Sequence, residues 1–98
     1  MNIVKKIEGT KLEIELEGRL DTTTAPELEA EISQSIENVT ELIFNFEKLE
    51  YISSAGLRVL LSAQKIMNKQ GSMLVKNVDT TIMDIFEVTG FSEILTIE

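Results

Sequence analysis

Two adjacent hydroxyls, Ser53 and Ser54, stand between an apolar strand candidate and an apolar helix candidate in Leu49-Glu50-Tyr51-Ile52-Ser53-Ser54-Ala55-Gly56-Leu57-Arg58. A serine at a helix start has two chemistries open to it. Its oxygen can cap the helix by accepting a bond from an early backbone N–H that has no internal partner. Alternatively, the serine can be a regulated one, because the same N–H groups and the positive helix end can receive a phosphate's anionic oxygens. Nucleophilic catalysis fits poorly, since the chain has no histidine and therefore no serine-histidine arrangement. It also has no cysteine, so thiolate metal sites and disulfides are excluded. Gly56 by itself is not a phosphate loop, because the glycine-rich pattern ending in Lys and Ser/Thr is missing. Asp21 lies just before a candidate helix, where turn formation or capping is the simplest use of its carboxylate. No pair among the acids and lysines has a spacing that identifies a reaction.

These residues need a frame. Residues 3–7 suggest an edge strand, and Gly9-Thr10 can turn it into a second one. In Lys11-Leu12-Glu13-Ile14-Glu15-Leu16-Glu17 the alternation puts leucines and isoleucine on one face and acids on the other. Gly18-Arg19-Leu20-Asp21 should end that strand. Thr24 and Glu27 have capping-box spacing and Pro26 is tolerated in a first turn, so a helix is expected from about residue 25, burying Leu28, Ile32, Ile36 and Val39. Glu41-Leu42-Ile43-Phe44-Asn45-Phe46 reads as an internal strand covered on both sides. The serines are then expected on a loop at its C-terminal edge, a common place for sites in open α/β sheets.

The strongest helix candidate follows over residues 57–67, packing through Leu57, Leu60, Leu61, Ala63, Ile66 and Met67. Gly56 at its entrance permits close approach, and Gly71 suits a left-handed cap at its end. Residues 72–78 read as another strand, Asp79 or Thr80 can start a short final helix, and residues 91–97 are expected to return as a strand. The fold class expected is α/β, a mixed β-sheet with helices packed against it. At 98 residues the chain is expected to be one domain spanning 1–98.

Composition narrows the function. A formal charge of −8 without dense basic blocks disfavours direct contact with nucleic acid and suits a protein partner bearing a basic patch. No run is long enough to insert in a membrane and no secretory signal is visible, so cytoplasmic residence is expected. No cofactor or metal is called for by any motif.

Gly18-Arg19-Leu20-Asp21, the apolar strand Leu42 to Phe46, and Ile52-Ser53-Ser54-Ala55-Gly56-Leu57, in that order, resemble the STAS domain family and especially its bacterial anti-sigma factor antagonists. The resemblance covers essentially the whole chain. It implies a STAS-type mixed sheet flanked by helices, with a switch serine at the start of the second main helix. Ser54, immediately before Ala55-Gly56-Leu57, matches the phosphorylated position. The family logic implies a noncatalytic switch that binds an anti-sigma factor serine kinase when unphosphorylated and is released by phosphorylation. A phosphatase resets it. The implied partner surface comprises Asp21, Thr22, Ser53, Ser54, Ala55, Gly56 and Arg58. Ser53 departs from the aspartate usual before the switch serine, and Asn45 from a frequent strand-end aspartate. A STAS-type adaptor in another signalling or membrane-transport assembly is the alternative, and a small enzyme using acids near Asp21 a third.

Overall fold

In the computed structural model, which describes residues 1–98, the alternating segment becomes the second strand of a four-stranded sheet ordered β1-β2-β3-β4. Strands β1 (Asn2–Glu8) and β2 (Lys11–Leu20) form an antiparallel hairpin, turned at Gly9 with φ 63°. Strands β3 (Glu41–Ile52) and β4 (Ser72–Lys76) then add in parallel, so the sheet is mixed. Each parallel step needs a crossover, supplied by helices α1 (Ala25–Ser35) and α2 (Ser54–Gln70). Helix α3 (Thr80–Thr89) and a short 3-10 turn, Phe91–Glu93, close the chain.

One core of 24 buried residues joins Leu12, Ile14, Leu16, Leu42, Phe44 and Phe46 of the sheet to Leu28 and Ile32 of α1, Leu57, Leu60 and Met67 of α2, and Ile82 and Phe86 of α3. The Phe46 ring lies 6.1 Å from that of Phe44 and 6.4 Å from that of Phe86, an edge-tilted stack tying α3 to β3. Ile43 is buried but stands outside this core. On that second face Ile43 and Asn45 are in register with Glu13 and Glu15, whose carboxylates pair with Lys76 and Lys48, each at 3.4 Å. Strand β3 is therefore not covered by helices on both sides. Its density of apolar residues comes from helices on one face and half-buried charged stems on the other.

The structure corrects four further expectations. Strand β3 runs on to Ile52, so there is no serine loop: Ser53 is the single residue between strand and helix. The capping box at α1 is not made, because the Thr24 hydroxyl turns back to β2. Gly71 has φ 173°, extended rather than left-handed, and Gly90 with φ 83° is the left-handed cap, of α3. Residues 91–97 form the 3-10 turn and touch the sheet through one bridge, Val75 to Ile97.

Candidate functional site

The two serines have separate jobs, decided by helix geometry. Ser53 is extended (φ −97°, ψ 175°), its N–H donates to the Leu20 carbonyl at 2.9 Å, and its carbonyl accepts the first helical bond, from Leu57 N–H at 2.9 Å. Its hydroxyl accepts from Gly56 N–H at 3.3 Å. Ser53 is thus both the last rung of the sheet and the cap of α2. Ser54 is the first residue inside the helix, is exposed, and its hydroxyl has no hydrogen-bond partner. Capping and chemistry, which the sequence left on the same pair, fall to different residues.

A contrast in stability should follow. Ser53→Ala loses the cap and should cost about 0.5–1 kcal/mol, the lower half of the usual range because the bond is long. Ser54→Ala removes no folded-state bond and should stay within about 0.5 kcal/mol of the parent. Urea denaturation of the two variants measures this, and a larger loss for Ser54→Ala would reassign the cap.

Opposite α2, the turn from β2 into α1 is held by Asp21. Its Oδ1 accepts from the Thr23 hydroxyl at 2.7 Å, from Thr23 N–H at 3.0 Å and from Thr24 N–H at 3.1 Å. The Thr23 hydroxyl first, then the Thr24 N–H, hold the Asp21 carboxyl below the usual carboxylate range, outweighing the opposing effect of desolvation. Thr24 locks the same turn, accepting from Asp21 N–H at 2.8 Å and donating to the Arg19 carbonyl at 2.7 Å. A carboxylate so occupied is a structural anchor. It leaves Thr22, exposed and next in line, as the surface that the turn presents.

Thr22 and Ala55 share a cleft of about 330 Å³ between the starts of α1 and α2, with Pro26, Glu29, Arg58 and Ser62 among its walls. Thr22, Ala55 and Arg58 of the expected partner surface therefore meet on one concave patch. Gly56 does not reach it. It is buried, and a Cβ there would come within 2.7 Å of Leu20 Cγ and 2.9 Å of Ile52 Cγ1, so it lets α2 sit directly on the strand ends. Of the two explanations open for Gly56, a tight connection and room for a ligand, its surroundings support the first.

Sequence reasoning missed the length of this groove. It continues along Glu29, Ile32, Ser33, Val59, Ser62, Ala63 and Ile66, and Ile66, expected in the core, is 39% exposed in its wall. The signal was a second stripe on α2, at positions 55, 59, 62 and 66, which shares Val59 with the core and lines up with positions 26, 29 and 33 of α1. Also missed was Arg19 stacked 4.3 Å over the Tyr51 ring at the paired ends of β2 and β3. No group of three or more acidic side chains converges as metal ligands, and no helix is long and apolar enough to cross a membrane.

The STAS domain family model matches residues 2–98. BtrV of Bordetella bronchiseptica, assigned as an anti-sigma factor antagonist, is 32% identical over 94 residues, which are 94% of this chain and 80% of that protein. The anti-sigma-B factor antagonist of Bacillus subtilis is 26% identical, covering 99% and 90% of the two chains. Among solved structures, the Bacillus cell fate determinant SpoIIAA in its phosphorylated form superposes with a TM-score of 0.78 over 99% of this chain and 91% of that one, at 24% identity, a likeness of fold. Whole-chain coverage by the family model, together with the BtrV match and a mixed sheet whose second helix begins at Ser54, makes this chain a member of the STAS domain family.

Proposed function

We propose that the chain is a noncatalytic protein-interaction switch, an anti-sigma factor antagonist that binds a serine-kinase anti-sigma factor while Ser54 is unmodified and releases it once Ser54 is phosphorylated. The observation that carries this reading is the division of labour at the α2 entrance. Ser53 supplies the cap, and Ser54 presents an exposed hydroxyl without a partner.

In the modification, Ser54 Oγ bonds to the γ-phosphorus of ATP held by the kinase. The bond from that phosphorus to the β–γ bridging oxygen breaks, ADP leaves, and the hydroxyl proton passes to the kinase or to water. A phosphatase reverses the state by hydrolysis, returning the hydroxyl and inorganic phosphate. The added group brings about −1.5 to −2 charge at neutral pH. Inside this chain that charge sits at a positive helix end, where it is tolerated. At a packed interface it demands desolvation and displaces whatever covered Ser54, so the partner is lost while the fold persists.

Thr22, Ser54, Ala55 and Arg58 would form the contact, with Asp21 and Ser53 fixing the two turns behind them. The net charge of −8 favours a partner with a basic surface. A quantitative pull-down from the source cell's lysate, comparing wild type with Ser54→Asp at equal folded concentration, tests the reading. Wild type should recover an ATP-binding serine kinase and Ser54→Asp should lose it by tenfold or more, on the order of the 1.4 kcal/mol or more that a charge at an interface costs. Equal recovery by both forms of an assembly without a kinase would replace this reading with a STAS-type adaptor.

A further inference from the structure

Arg58 is the one cationic residue of the cleft beside Ser54. The molecule's ion pairs are Lys5 with Glu31, Lys48 with Glu15 and Lys76 with Glu13, so Arg58 is exposed and uncommitted even though Glu29 lines the same cleft. It also stands four residues after Ser54 on α2, one helical turn away on the same face. Side chains on a helix lean toward its N-terminus, so a guanidinium at position 58 leans over position 54.

We propose that Arg58 is the internal counter-ion of phosphorylated Ser54, so that modification adds charge at the helix entrance and also withdraws the cleft's cation from any partner carboxylate. This rests on the reading of Ser54 as the modified residue. Three features favour the pair. An acid four residues before a base is the better order along a helix, because each charge then also complements the helix dipole. A guanidinium can donate two parallel N–H bonds to phosphate oxygens. The acids that could compete are placed to do so poorly: Asp21, across the entrance, is held by Thr23 and Thr24, and Glu29 sits on the far wall of the cleft. In the unmodified protein, Arg58 is free to meet a carboxylate of the partner. In the modified protein, it is engaged within its own helix. The switch is therefore a competition for one cation as well as a steric block.

The test needs no kinase. Phosphoserine is placed at position 54 during synthesis of the full chain, in the wild-type and Arg58→Gln backgrounds, and the second ionisation of the phosphate is followed by phosphorus NMR. The wild-type group should titrate about half a unit lower than in Arg58→Gln, with Arg58→Lys between them, and the gap should narrow as salt is raised. The Arg58 Nε–H resonance should also move downfield on modification, as donation of a hydrogen bond to a phosphate oxygen requires. Coincident titration curves, or a lower value in Arg58→Gln, would overturn the proposal. Arg58 is exposed, so its variants should fold; circular dichroism checks this and Arg58→Lys preserves the helix in any case. A flat result beside a kinase-recovering pull-down rejects the internal pair alone. A retained gap beside a failed pull-down rejects the partner reading alone.

Discussion

Leu57→Asp should destabilise the protein by about 4–5 kcal/mol or more at neutral pH. Leu57 is the fourth residue of α2 and is 6% exposed, its side chain within the core that joins α2 to β2 and β3. Removing a buried leucine side chain alone costs roughly 2–5 kcal/mol. The substitution also places a carboxylate where no cation pairs with it, since none of the molecule's ion pairs lies in that core. Such a group must either stay charged at a large solvation cost or take up a proton, which shifts the cost into pH dependence. A total of about 4–5 kcal/mol or more is a large share of the roughly 5–15 kcal/mol that a domain this size has. The carboxyl introduced at position 57 would have its folded pKa raised by burial, so the variant should recover part of its stability as pH falls toward the unfolded-state value and lose it again as pH rises. Urea denaturation at neutral pH, repeated under mildly acidic conditions, reads both effects. A midpoint unchanged from wild type would mean that position 57 faces outward, and it would move the partner surface to the opposite side of α2.

What the sequence alone makes legible depends on whether the determining interaction is local. Alternation in Lys11 to Glu17 and the apolar stripe of α1 are periodic signals, and both elements form, with Leu28 and Ile32 buried inside α1; the helix stops at Ser35, so Ile36 is its C-cap and Val39 is buried beyond it rather than on its stripe. Asp79 as cap of α3 is equally local, its carboxylate accepting from Ile82 N–H at 2.8 Å. The choice between Ser53 and Ser54 was not local. It depends on where β3 stops, which is set by the pairing of Ser53 N–H with the carbonyl of Leu20, the last residue of β2. Strand β3 itself continues through Glu47, Lys48 and Glu50 because β2 runs beside it through two register shifts, a partnership that the polar residues conceal. Thr24 shows the same limit from the other side. Its spacing to Glu27 is right for a capping box, yet Asp21 and Arg19 offer its hydroxyl better-placed partners across the turn. The candidate site was legible as a list of residues, and its division into anchors and surface was not.

Gly71→Ala should destabilise the protein by about 2–4 kcal/mol, more than the same change at Gly56, although Gly56 is the more deeply set in a helix. A Cβ on Gly71 would overlap the carbonyl oxygen of Thr40 and lie 2.6 Å from its carbonyl carbon. Those atoms are backbone at the start of β3, and the same carbonyl accepts from Ser72 N–H at 3.0 Å, so relief would require opening the β3–β4 junction. At Gly56 the obstacles are side chains, Leu20 and Ile52, which can shift by rotamer at a cost of roughly 1–3 kcal/mol. That cost is offset by about 1 kcal/mol, because alanine is the better helix former within α2. Gly71 lies beyond the helix and gains nothing of the kind. The two glycines thus hold opposite ends of α2, one against side chains beneath Ser54 and the other against the backbone of β3. Thermal or urea unfolding of both variants gives the order, and a Gly71→Ala variant as stable as Gly56→Ala would show that the far end of α2 can move off Thr40 freely.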